Sequence, residues 1–81
     1  MRVKVFVTLK SGVLDPQGKA VERSLHSLGY TGVEEVRMGK YIEFKLVPMP
    51  PEAAAQQVRE MGEKLLANPV IEDFRFEIQE S

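Results

Sequence analysis

Residues 33–47 read Val33-Glu34-Glu35-Val36-Arg37-Met38-Gly39-Lys40-Tyr41-Ile42-Glu43-Phe44-Lys45-Leu46-Val47, and how this stretch divides decides the fold. From Tyr41 to Val47, the apolar Ile42, Phe44 and Leu46 alternate with Tyr41, Glu43 and Lys45. That is the period-two pattern of a strand buried on one side. Val33–Met38 predicts a shorter strand, with Val36 and Met38 on one face. Gly39 suits a tight turn because it can take positive φ. The first reading is a hairpin about Met38-Gly39-Lys40. The alternative is one long bent strand from 33 to 47.

Upstream, Val3, Val5, Val7 and Leu9 alternate with Arg2, Lys4, Phe6 and Thr8, which predicts a half-buried strand. Lys10–Leu14 is a connecting loop. Asp15-Pro16 then opens a helix expected to run to about Leu28. An aspartate accepts hydrogen bonds from free helix N–H groups, and proline has its φ already set. Val21, Leu25 and Leu28 form its apolar stripe, and Gly29 closes it. Gly18, in the first turn, either lets backbone approach closely or weakens that turn. Tyr30-Thr31-Gly32 is a turn.

Downstream, Pro48, Pro50 and Pro51 stop the strand, because proline donates nothing to a ladder. A second helix is predicted from about Pro51 to Ala67, with Ala54, Val58, Met61 and Leu65 as its apolar stripe. Asn68-Pro69 ends it. A last strand over Val70–Gln79 puts Phe74, Phe76 and Ile78 on one face. Arg75, Glu77 and Gln79 take the other.

The resulting order is β-α-β-β-α-β, a single α+β domain over residues 1–81. It would be a ferredoxin-like two-layer sandwich, or its three-stranded variant if the bent strand holds. Both helices are expected on one face. The other face carries Phe6 and Tyr41 among Lys4, Thr8, Glu43, Lys45, Arg75 and Glu77, a composition suited to an oligomer interface.

Composition narrows the function. Eleven Lys and Arg stand against twelve Asp and Glu, for a net charge of −1. That argues against nucleic acid as a partner. The absence of cysteine excludes disulfides, a thiolate nucleophile and Cys-ligated zinc, and the single histidine excludes a poly-His metal centre. No apolar run approaches the ~18 residues of a membrane span. Lys4, Thr8 and Lys10 interrupt any signal-peptide core. A cytoplasmic protein with no membrane partner is expected. A chain of this length hides only roughly 60% of its unfolded surface. With no disulfide or metal, oligomerisation is the remaining support. A subunit or binding module is therefore expected rather than a self-sufficient enzyme.

Candidate chemistry is sparse. Lys10, Gly12 and the start of the first helix suit an anion site, although Asp15 competes for the same N–H groups. His26 lies on the polar side of the first helix, with only Glu22 at helical spacing. Glu34-Glu35 and Glu72-Asp73 are adjacent pairs whose members point to opposite faces, so they read as surface. Arg37 and Lys40 flank Gly39 and suit an acidic partner or a phosphate as readily as a solvated turn. Acylphosphatase chemistry needs an arginine-bearing loop after the first strand, which is missing. RNA-recognition aromatics lack their spacing. No catalytic residue is assigned.

Several longer strings carry a resemblance: Lys10-Ser-Gly-Val-Leu-Asp-Pro-Gln-Gly18, Leu28-Gly-Tyr30, Val33 through Glu43, and Glu63-Lys-Leu-Leu-Ala-Asn-Pro-Val-Ile-Glu-Asp73. Together they resemble the PurS subunit family of phosphoribosylformylglycinamidine (FGAM) synthase. The resemblance implies a small non-catalytic subunit in purine biosynthesis. It would dock a glutaminase subunit and a large ATP-dependent synthetase subunit, and assist ammonia transfer between them. It implies no cofactor in this chain, ATP and magnesium belonging to the synthetase subunit. Gly62 departs from the family pattern and marks close packing, since glycine in mid-helix costs about 1 kcal/mol against alanine.

A homo-oligomer, dimer or tetramer, is expected through the face bearing Phe6 and Tyr41. Partner docking is expected at Lys10, Gly12, Val13, Leu14, Asp15 and Gly18, and at Arg37, Gly39 and Lys40. The alternative function is a ferredoxin-like regulatory module that binds a metabolite.

Overall fold

The computed structural model describes residues 1–80 and is organised by its first strand. Strand β1 (Arg2–Leu9) lies at the centre of a three-stranded sheet, between β2 (Gly39–Lys45) and β3 (Glu72–Gln79), in the order β2-β1-β3. Both pairings are antiparallel, with Val5 opposite Ile42 on one side and Phe76 on the other. Centrality is what the alternating valines dictate: Val3, Val5 and Val7 are buried, while Phe6 and Lys4 between them are half-exposed. A terminal clamp adds to the β2 side, where Met1 and Leu46 exchange backbone hydrogen bonds at 2.9 and 2.8 Å.

The second helix, α2 (Pro51–Met61), covers the inner face. Ala54 and Val58 are fully buried, and Val58 joins Val3, Val5, Val7 and Ala67 in the core, ringed by Phe74, Phe76 and Ile78. The helix continues as one π-helical turn over Gly62–Leu66, closed by a 2.9 Å bond from Ala67 N–H to the Gly62 carbonyl. The predicted end at Ala67 therefore holds, and Asn68 begins a turn in which its side chain accepts from Val70 N–H. The last strand starts at Glu72, two residues later than expected, because Asn68 also accepts from Glu72 N–H at 2.7 Å.

Two expectations are corrected. Val33–Met38 is not a strand, and no hairpin turns at Met38-Gly39-Lys40. The sheet has three strands, as in the bent-strand alternative, but only Gly39–Lys45 enters the ladder, with Gly39 already opposite Thr8. The cause is local. Glu35 has φ 56°, which breaks the extended backbone, and the N–H groups of Val36 and Met38 bond to side chains rather than to a strand.

The other correction concerns helix α1 (Pro16–Ser27), expected on the sheet beside α2. It instead runs alongside residues 33–38, joined to them by His26 Nε2 and the Val33 carbonyl at 2.6 Å and by Val36 N–H donating to Glu22 at 3.3 Å. Helix and segment form an arm. The radius of gyration is 15.9 Å and the extents are 48 × 28 × 15 Å, against about 12 Å expected for a globule of this length.

Gly62 shows the close packing expected of it: a Cβ there would overlap the Phe74 ring. Gly62→Ala gains about 1 kcal/mol of helix propensity and loses about 1–3 kcal/mol to overpacking. The Phe74 ring is backed by the sheet, so overpacking wins. The variant is expected to be destabilised by about 1 kcal/mol, read as a lower denaturant midpoint at unchanged slope. Pairing it with Phe74→Leu recovers part of the loss.

Candidate docking site

Asp15 organises the junction between sheet and arm. Its carboxylate accepts from Gly18 N–H at 2.9 Å, as a helix N-cap, and from Met38 N–H at 2.8 Å across 23 residues of sequence. These bonds, Met38 first and Gly18 second, hold the Asp15 carboxyl below the usual aspartate range. Gly18 is buried against the Val36 carbonyl and the Asp15 side chain, so a Cβ would have no room there. Its lack of a side chain serves close approach.

Asp15 fixes the spacing of two segments, and a cavity of about 500 Å³ lies between them, lined by Leu9–Asp15, Lys19 and Glu35–Arg37. Of the docking residues expected from sequence, Lys10, Gly12, Val13, Leu14, Asp15 and Arg37 converge on this one cavity. Arg37 Nη1 donates to the Leu9 carbonyl at 3.2 Å, and Lys10 Nζ lies 3.9 Å from Asp73. Leu14 is 79% exposed. Lys40 and Gly39 do not join them. Strand alternation puts Lys40 on the helix side of the sheet with its ladder partner Val7. Gly39 is a close-approach position, where a Cβ would meet the Val7 carbonyl. The sequence pattern alone misses Lys19 and Glu35. Lys19 was legible, four residues after Asp15 on the same helix face. Nothing in Glu34-Glu35 signals a left-handed residue.

The outer sheet face is a second feature. Phe6 and Tyr41 pack at 5.2 Å between ring centroids, and the Arg75 guanidinium stacks 4.0 Å over Phe6. Tyr41 donates to Glu43 at 2.8 Å, and Arg2 pairs with the same carboxylate. The hydrogen bond from Tyr41, then that from Arg2, lowers the Glu43 pKa. Desolvation, then Glu43, raises that of Tyr41.

Among the described residues no group of three or more acidic or histidine side chains is placed to hold a metal ion, and no helix is long and apolar enough to cross a membrane. An apolar groove of about 650 Å³ runs between β2 and the end of α2, lined by Phe44, Leu46, Met61, Leu65 and Leu66 among others.

A family model described as PurS, phosphoribosylformylglycinamidine (FGAM) synthase, matches residues 2–80. The chain belongs to the PurS family. Over 79 residues it is 52% identical to the PurS subunit of Bacillus subtilis, covering 98% of this chain and 93% of that one. A crystal structure of PurS from Methanocaldococcus jannaschii, 38% identical, superposes with a TM-score of 0.82 over 99% of this chain and 96% of that one. A chain from a structure described as PurLQS from Thermotoga maritima, 32% identical, gives 0.82 over 94% and 93%. PurS membership decides between the two functional expectations: the chain is a subunit of FGAM synthase, not a free-standing metabolite-sensing module.

Because Asp15 titrates below the usual range, its ionised form stabilises the fold above the ordinary value of ~3.9, and that stabilisation disappears as pH falls through the native value. Asp15→Ala is therefore expected to melt several degrees below wild type at neutral pH. The gap begins to narrow below about pH 4 and closes only below the lowered native pKa of Asp15, as followed by circular dichroism melts across pH.

Proposed function

We propose that this chain is the small non-catalytic subunit that bridges the glutaminase and the ATP-dependent synthetase of FGAM synthase and helps ammonia pass between them. ATP and magnesium are bound by the synthetase, and the assembly works in the cytoplasm. The observation that carries this reading is the near end-to-end likeness to a chain of the PurLQS structure from Thermotoga maritima. The chemistry supports it as well. Ammonia released into water protonates or diffuses away, so a shielded handover between sites has a direct use.

The chain acts as a homo-oligomer. Its arm exposes Val21, Leu28 and Tyr30, with Leu28 at 73% and Tyr30 at 61%. The inner sheet face beside β2 is open at the groove along Phe44 and Leu46. A second copy that lays its α1 over this strip supplies the helix that the sheet lacks on that side, and the outer face with Phe6 and Tyr41 remains for further association. Thin cores of this size gain stability in this way.

Reconstitution of the three subunits tests the bridging role. Glutamine-dependent product formation is expected only when this chain is present, and synthesis from ammonium salt is expected to persist without it. Equal glutamine-dependent rates with and without the chain overturn the reading. For the oligomer, light scattering is expected to show a smaller particle for Val21→Glu with Leu28→Glu than for wild type, at unchanged helical content.

A further inference from the structure

We propose that the cavity between the Lys10–Asp15 loop and Glu35–Arg37 is a socket for a carboxylate side chain of another FGAM synthase subunit, gripped by Arg37, Lys10 and Lys19. The inference rests on the bridging role proposed above and adds the chemistry of one contact.

Three cations from three separate segments line this cavity: Lys10 from the loop after β1, Lys19 from α1 and Arg37 from the segment before β2. Each keeps unused capacity. Arg37 donates to one backbone carbonyl and pairs with no carboxylate among the described residues. Lys10 touches Asp73 only at the limit of ion pairing, 3.9 Å. Lys19 forms no ion pair among the described residues. The acids nearby are largely committed elsewhere. Asp15 accepts one backbone N–H on each oxygen, from Gly18 and from Met38, and Glu22 accepts from Val36 N–H. Glu35 lines the cavity but is exposed and bonded to none of the three cations. An incoming carboxylate meets a planar guanidinium, which binds it in two parallel bonds, and two ammonium groups beside it.

The apolar wall decides between a protein side chain and a free anion. Val13, Leu14 and Val36 line the cavity, and Leu14 is 79% exposed. A phosphate ion leaves Leu14 in water. A protein segment covers it while its acid enters the socket. The rim is also preorganised, because the Asp15 hydrogen bonds fix the loop and the Arg37 segment in one arrangement before any partner arrives.

The experiment measures binding of the full-length chain to the separate glutaminase and synthetase subunits across a salt series. The variants are Lys10→Glu with Arg37→Glu, Lys19→Glu alone, and Arg37→Lys. Light scattering and melting of each variant oligomer accompany the titrations. The double reversal is expected to weaken binding to one subunit by about tenfold or more and to flatten the salt dependence. Lys19→Glu, on an exposed helical position, acts in the same direction, and Arg37→Lys is intermediate. Unchanged affinity and salt slope in both charge-reversal variants overturn the socket. Loss of the homo-oligomer overturns it in favour of a second copy as occupant. Displacement of the wild-type complex by inorganic phosphate at constant ionic strength overturns it in favour of a small-anion site. A wild-type chain that binds neither subunit sinks the bridging role itself, which separates the two failures.

Discussion

The placement of the arm depends on one carboxylate. Asp15 caps helix α1 through Gly18 and reaches Met38 immediately before the edge strand. Without that second bond, α1 and the 33–38 segment would be joined to the sheet only by chain connectivity and weaker contacts. With it, the helix start, the loop after β1 and the start of β2 meet at one point. The orientation of the arm and the shape of the neighbouring cavity both follow. A buried acceptor satisfied by two backbone donors is stiff, because either bond lost leaves a costly unpaired group.

Much of the sheet is legible in the amino-acid sequence, and for a simple reason. Val3, Val5 and Val7 allow only one face to be buried, and Ile42–Phe44 and Phe74–Phe76 repeat the constraint on the flanking strands. Helix limits are equally plain where proline, Asp15 or Asn68 punctuate the chain. Legibility fails at 33–38. The alternation of Val36 and Met38 is real, but the partner that satisfies their N–H groups is a pair of side chains, Glu22 and Asp15, rather than a strand. Periodicity reports which way side chains face and says nothing about who accepts the backbone hydrogen bonds. The same limit hides the arm: the stripe Val21-Leu25-Leu28 predicts that the sheet covers α1, whereas Val21 and Leu28 stay exposed in this chain. It also misplaces Lys40, which a turn would set beside Arg37 and the ladder sets on the helix side of the sheet.

Charge is distributed in keeping with two different surfaces. On the outer sheet face, Arg2, Glu43, Arg75 and Glu77 satisfy one another, and the aromatic pair Phe6 and Tyr41 lies among them. Lys4 and Lys45 share this face and form no ion pair among the described residues, so two copies that meet there bring a small excess of positive charge around the aromatic pair. At the arm junction Arg37 and Lys19 form no ion pair among the described residues although Asp15 and Glu35 line the same cavity, which leaves cationic capacity for a partner with a complementary charge.

The sheet order has a consequence for how the molecule comes into being. Of the three strands, the central one leaves the ribosome first, and its partners follow at residues 39 and 72. Arg2 pairs with Gln79, so closing the second ladder brings the start of β1 to the end of β3. At ordinary synthesis rates the valine strand waits several seconds before its last neighbour exists. During that interval only the β1–β2 pairing is available, a two-stranded ribbon of marginal stability. The sheet therefore closes only once β3 has emerged, and until then the valines that end up fully buried have one strand neighbour instead of two.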